Sequence, residues 1–216
     1  MLEVRHLNAS YGQAQALFDV SFQVPAGQMV LIQGLNGAGK STLLKSIMGL
    51  MSQVSGELVW NGHPLHDLKP HQRSALGLGY VPEDRRLFAA LTVRQNLEIA
   101  IPKVASCEVS APLSLDHVLD LFPALRSMLD RPAAQMSGGE QQMLALGRTL
   151  MTQAKMLLLD EPCEGISPVL VQAIANALDR LKQQGMTLLI AEQNQTLSVM
   201  ADQVLHLVSG SLVKAR

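Results

Sequence analysis

Long apolar runs, aromatics, cysteines and net charge are all in short supply in this chain of 216 residues. Hydrophobic residues make up 48% of it. Yet no apolar stretch approaches the roughly 18–20 residues that cross a bilayer as a helix. The densest, Met29-Val30-Leu31-Ile32 and Met156-Leu157-Leu158-Leu159, are strand-sized. The start, Met1-Leu2-Glu3-Val4-Arg5, lacks the apolar centre of a signal peptide, so a cytoplasmic protein is expected. The two cysteines, Cys107 and Cys163, have no metal-ligand spacing and fit free thiols in a reducing compartment. Seventeen Lys and Arg stand against 18 Asp and Glu, for a net charge of -1. No basic stripe forms, which argues against a nucleic-acid partner and gives no reason for direct binding to acidic lipid. Aromatics are 3% of the chain, so one placed at a ligand site stands out.

What is present reads as alternating strands and helices. Leu2 and Val4, with His6 as a candidate third member, point one way, and Phe18, Val20, Phe22 and Val24 alternate again. Both stretches are expected to be half-buried antiparallel strands. After the Pro25-Ala26-Gly27 turn, 29–33 reads as a buried strand, and Ser41 to Met48 as a helix ended near Gly49. Glu57 to Trp60 runs as a strand into the Asn61-Gly62 turn. Strand patterns fade from about Asp84 to Gln135, a stretch punctuated by Pro102, Pro112, Pro123 and Pro132. Helical spacing in Leu115, Val118, Leu119 and Phe122 marks it as a mainly helical insert. Further helices are expected at 138–150 and 169–182, strands at 156–159 and 187–191, and a closing hairpin at 204–208 and 212–213. Apolar strands alternating with helices imply a parallel sheet covered on both faces.

Three segments carry chemistry. Gly34-Leu35-Asn36-Gly37-Ala38-Gly39-Lys40-Ser41-Thr42 lies between an expected strand and an expected helix, the context a phosphate-binding loop requires. Its glycines let backbone N–H groups turn toward phosphate oxygens, and the helix N-terminus adds partial positive charge. Lys40 is expected at the β- and γ-phosphates and the Ser41 hydroxyl on Mg²⁺. The apolar run ending in Asp160-Glu161-Pro162 delivers Asp160 to a strand's C-terminal end as a second Mg²⁺ residue, acting through water. Glu161 follows as the base for an attacking water. Ser137-Gly138-Gly139-Glu140-Gln141-Gln142 is a second anion-cradling loop at a helix start, which makes sense if it serves another nucleotide.

In this order the three segments resemble the ABC ATPase family, over essentially the whole chain. The resemblance implies an α/β P-loop NTPase core (1–83 and 148–216) with a small antiparallel β portion and an inserted helical subdomain (84–147). It implies ATP and Mg²⁺ as ligands. It also implies a head-to-tail dimer in which Ser137, Gly138, Gly139 and Glu140 close on ATP held by the partner. Tyr11 stands where an aromatic stacks on adenine. Glu164-Gly165-Ile166-Ser167-Pro168 matches the partner-touching loop, with Ser167 in place of the more usual Asp. Glu83 stands where the family has a Gln that senses γ-phosphate and metal. Gln193 replaces a His that contacts the γ-phosphate. Gln can donate a hydrogen bond but cannot titrate near neutrality.

These departures are read as subfamily variation rather than impairment. With Arg85-Arg86-Leu87-Phe88, Leu91-Thr92-Val93 and Glu192-Gln193-Asn194, they look like the ATPase subunits of branched-chain amino acid importers; the urea-type importers share them. That subfamily implies a heterodimer of two ATPase subunits, two membrane-spanning permease subunits, an extracytoplasmic solute-binding protein acting indirectly, and a place on the inner face of the cell membrane. The rivals are a soluble ABC ATPase of DNA repair or translation, whose coiled-coil insertions and tandem units are missing, a regulatory module that binds ATP without turnover, and a small-molecule kinase. His63, His66 and His71 read as solvated loop residues, and the eleven methionines as packing.

Overall fold

The computed structural model describes residues 1–102, 113–193 and 195–213; Cys107, Pro112 and Asn194 lie outside them. Two long strands, β1 (Leu2–Tyr11) and β2 (Ala14–Val24), open the chain as an antiparallel pair. A buried strand β3 (Met29–Gln33) leads into helix α1 (Lys40–Met48), which Gly49 ends in the left-handed conformation at φ 79°. Then come β4 (Gln53–Trp60), the short β5 (His63–Pro64), α2 (Pro70–Ala75) and β6 (Leu78–Val81). The insert carries α3 (Val93–Glu98) and α4 (Leu115–Leu121), two 3₁₀ turns at Pro123–Met128 and Ala133–Gln135, and the start of α5 (Gly138–Met151). The chain closes through β7 (Met156–Asp160), α6 (Pro168–Gln183), β8 (Thr187–Ala191), α7 (Gln195–Ser198), β9 (Gln203–Val208) and β10 (Ser211–Val213).

Two sheets result. One is antiparallel with order β2-β1-β4-β5. The other has order β10-β9-β3-β8-β7-β6, parallel except for the β9–β10 hairpin. Within the larger sheet Ile32 pairs with Ala191, and Ala191 with Asp160. One register row therefore brings the C-terminal ends of β3, β8 and β7 together, where ligands of open α/β sheets bind. Side chains on the two faces of this sheet join two different apolar clusters. Val30, Ile32, Leu158 and Leu189 pack with α1 and the antiparallel sheet. Leu31, Leu157, Leu159 and Ile190 pack with α5, α6 and the insert. The second cluster runs without a break from Leu97, Val118 and Leu125 of the insert to the sheet.

The alternation read at the N-terminus needs correction at two places. His6 is exposed, and Phe18 is exposed while Leu17 is buried. His6 (φ 52°) and Asp19 (φ 50°) are left-handed, and the β1–β2 register shifts beside them. A bulge adds one residue, so the period-2 pattern changes face across it. Helix α2 and strand β6 had no separate sequence signal. Trp60 marks their position, its indole donating to the Leu76 carbonyl at 3.0 Å.

Candidate nucleotide site

The loop after β3 folds around two close approaches. A side chain at Gly34 would place its Cβ 2.4 Å from the Leu207 carbonyl of β9, and Gly39 takes φ 105° to start α1. These positions admit only glycine without strain. Lys40 follows with 3% of its surface exposed. Its ammonium donates to the carbonyls of Gly34 (2.9 Å) and Leu35 (3.3 Å) and pairs with Glu161 at 2.9 Å.

Asp160 is buried at the end of β7. It accepts from the Ser41 hydroxyl at 2.8 Å and from the Tyr80 hydroxyl at 3.1 Å. Burial pushes its carboxyl above the usual range, against the lowering effect of those two hydrogen bonds and of Lys45. Burial and the Asp160 charge push the Tyr80 hydroxyl up in turn, so it stays a donor. Ser41 and Asp160 thus form a pair of hard oxygen donors at the loop. That suits Mg²⁺, which keeps several waters and takes few protein ligands. Among the described residues no group of three or more His, Cys, Asp and Glu could hold a metal.

Glu161 is left-handed at φ 48°, and its N–H donates to the Ala191 carbonyl at 2.8 Å. A non-glycine residue held there is a strained position of the kind found at functional sites. Burial raises its carboxyl, but hydrogen bonds with Glu164, Lys40 and Gln193 outweigh that and hold it below the usual glutamate value. Glu164, hydrogen-bonded to Glu161 and facing its charge, is pushed up to about 7. The Gln193 amide also donates to the Asn36 side chain, so Asn36, Glu161 and Gln193 form one group.

A cavity of about 550 Å³ opens over the loop. Gly37, Gly39, Lys40, Ser41, Thr42 and Glu161 line its floor, and Tyr11 and Phe18 its wall. Tyr11 is 53% exposed, with its hydroxyl 3.3 Å from that of Thr42. Gly34, Asn36, Ala38 and Gln193 line a neighbouring cavity of about 510 Å³ on the other side of the loop.

The remaining expected residues lie elsewhere. Ser137 caps α5: its N–H donates to the Glu140 carboxylate at 2.7 Å, and its hydroxyl accepts from the Glu140 N–H. Ser137 is exposed, and neither it nor Gly138, Gly139 or Glu140 lines the cavity over the loop. Leu170 of α6 presses on Gly139, where a Cβ would fall 2.2 Å from it. Arg85 bonds the Gln141 and Gln142 side chains at 3.3 and 3.2 Å, tying the segment after β6 to this helix. Glu83 is exposed and lines neither cavity. Sequence reasoning gave no role of their own to Tyr80 or Glu192, put Glu164 in the partner-touching loop rather than beside the base, and placed Phe18 in the core. The scarcity of aromatics was the one available signal for Tyr80 and Phe18.

Comparison with known proteins agrees with this geometry. The profile of the ABC transporter family matches residues 17–164. The chain is 40% identical over 214 residues to the high-affinity branched-chain amino acid transport ATP-binding protein BraG of Pseudomonas aeruginosa, covering 99% of this chain and 91% of that one. It is 41% identical over 212 residues to the probable branched-chain amino acid transport ATP-binding protein LivF of Archaeoglobus fulgidus, covering 97% and 89%. The crystal structure of a nucleotide-free ATP-binding cassette from an ABC transporter superposes with a TM-score of 0.85 at 27% identity, over 99% of this chain and 90% of that one. With a phosphate loop, a strand-end Asp-Glu pair and a capped Ser-Gly-Gly helix in one fold, this chain belongs to the ABC transporter family.

Proposed function

We propose that this chain is the ATP-hydrolysing subunit of a membrane importer whose cargo is branched-chain amino acids. The observation that carries hydrolysis is the meeting of Lys40, Glu161 and Gln193 beside the Ser41–Asp160 pair. The names of the two relatives favour branched-chain amino acids over urea as cargo.

ATP would lie with its base against Tyr11 and its phosphates on the backbone N–H groups of 37–39 and the α1 N-terminus. Lys40 would exchange the Glu161 carboxylate for the β- and γ-phosphate oxygens. Glu161, released from that pair, would take a proton from the attacking water as its oxygen bonds to the γ-phosphorus and the bond to ADP breaks. The Gln193 amide would orient that water and donate to the γ-phosphate. Ser41 and Asp160, with Glu83 brought in from the end of β6, would hold Mg²⁺, which neutralises charge on the phosphate oxygens.

Ser137 is exposed and apart from the cavity, which supports a second ATPase subunit paired head to tail, whose nucleotide this serine caps; the branched-chain importer reading implies that the pair is a heterodimer. A groove of about 400 Å³ lined by Leu50, Tyr80, Phe88, Ile99 and Arg148 lies beside the segment after β6. The Arg148 guanidinium sits 5.3 Å from the Phe88 ring centre. We assign this groove to a cytoplasmic segment of one of two permease subunits; a solute-binding protein outside the membrane would act through them. Among the described residues no helix is long and apolar enough to cross a membrane, which fits a peripheral place on the inner face.

The test is a complex purified from native membranes, with the two nucleotide sites labelled separately by a photoreactive ATP analogue. Ser137→Arg should stop hydrolysis at the partner's site and leave binding at this chain's Lys40 intact. Loss of binding at this chain's own site would overturn the head-to-tail reading. Recovery of a single kind of ATPase subunit would overturn the heterodimer.

A further inference from the structure

Glu192 is a carboxylate in an expensive place. It exposes 4% of its surface, directly after β8, and its N–H donates to the Ile32 carbonyl of β3 at 3.1 Å. A buried carboxylate is tolerated only when well hydrogen-bonded. One oxygen of Glu192 accepts the Cys163 N–H at 3.0 Å, and the other accepts the Gln193 N–H at 2.8 Å. The Cys163 thiol bonds the same carboxylate, and burial with that charge pushes the thiol up to about 12, so it stays protonated as a donor. Cys163 lies two residues after Glu161, and Gln193 is the next residue after Glu192. The carboxylate therefore spans the two segments that carry the assigned base and the amide bonded to it.

The two segments leave neighbouring parallel strands, and the last ladder pair between them is Asp160 with Ala191. Beyond that pair, among the described residues, only the Glu161 N–H to Ala191 bond continues the backbone connection. We propose that Glu192 is a positioning residue: its carboxylate braces the turn after Glu161 against the Gln193 backbone and so fixes the Gln193 amide relative to the Glu161 carboxylate, without touching substrate. This rests on the assignment of Glu161 and Gln193 to hydrolysis. A charge suits the task because each oxygen takes an N–H donor, whereas an amide side chain presents one acceptor and one donor.

The test uses the complex purified from native membranes, unaltered or carrying Glu192→Gln in this chain, read in two ways. Amide hydrogen exchange should show the Cys163 and Gln193 N–H groups slow in the unaltered protein and faster together, by about tenfold or more, in the variant. Turnover should fall roughly ten- to hundredfold, the scale of a catalytic group misplaced by about 1 Å, with KM and nucleotide affinity changed less than about threefold. In a Gln193→Ala background the same substitution should change turnover less than about twofold, because its route is gone. Should Glu192→Gln fail to fold, Glu192→Asp keeps the charge but reaches one N–H alone, and should give intermediate turnover. Unchanged exchange at either amide, turnover equal to the unaltered protein, or a drop additive with Gln193→Ala each overturns the brace. Absence of hydrolysis in the unaltered protein, with both amides protected, overturns the hydrolase reading and the catalytic role of the brace with it.

Discussion

The Lys40 ammonium rests 2.9 Å from a Glu161 carboxylate oxygen, and the two side chains expose only 3% and 10% of their surface. The cation assigned to the phosphates and the base assigned to water thus neutralise each other, and phosphate binding would separate them. Glu161→Gln removes the competing anion. ATP should bind at least as tightly, while hydrolysis falls about 10²–10⁴-fold. The Glu161 carboxyl is held below its usual value, so its stabilising effect is present above the ordinary glutamate range and lost as pH falls through the depressed value. The nucleotide-free variant should therefore melt lower than the unaltered protein at neutral pH. Titration calorimetry, turnover and thermal melts check the three outcomes; turnover within a few-fold of the unaltered protein removes Glu161 from its role.

Asp160 should trade in the opposite direction. Its carboxyl is pushed up by burial, so the stability it contributes is present at low pH and lost as pH rises through the raised value. Asp160→Asn should raise the melting midpoint of the nucleotide-free protein near neutrality. It should also lower Mg²⁺-dependent turnover by roughly two orders of magnitude. A lower melting midpoint would mean that the Ser41 and Tyr80 bonds outweigh burial.

Phe18 should behave as a ligand residue rather than a core residue. It stands 43% exposed on the cavity wall near Tyr11. Phe18→Ala should weaken ATP affinity about three- to tenfold, the scale of one aromatic contact, and barely move the melting midpoint. A large loss of stability with unchanged affinity would return Phe18 to the core.

Glu164 should give turnover a pH dependence. Its carboxyl is pushed up to about 7 by the hydrogen bond to Glu161 and by that residue's charge. Below that pH the proton it donates engages the base. As pH rises through about 7 the proton leaves, and the associated stabilisation is lost with it. Turnover should therefore climb between roughly pH 6 and 8, and Glu164→Gln should flatten that rise. Identical profiles for the two proteins would show that Glu164 does not govern the base.

The phosphate loop, the Asp160–Glu161 pair and the Ser137 cap were legible because each depends on local chemistry: glycines at fixed spacing, an apolar run ending in acid, and a hydroxyl three residues before a glutamate. The strands that hold them were legible because β3, β7 and β8 are buried on both faces and read as unbroken apolar runs. The brace at Glu192, the Tyr80 bond to Asp160 and the place of Phe18 were not legible. Tyr80 meets Asp160 because β6 and β7 are neighbours, and strand order is not written in either segment. Phe18 changes face because of the bulge beside Asp19, and left-handed Asp and His leave no composition signal. Glu192 looks like any acidic residue after a strand until the Cys163 N–H is seen against it.

The unbroken apolar cluster from the insert to the sheet limits how this molecule can move. A lever needs a hinge, a thin waist where few contacts cross. Leu97, Val118 and Leu125 instead continue directly into Leu146, Leu157 and Leu159. Displacement of the Ser137 end relative to the phosphate loop would then slide packed side chains past one another, as a shear does. A seam of interlocked side chains at close-packed density would resist small tugs and yield as a unit.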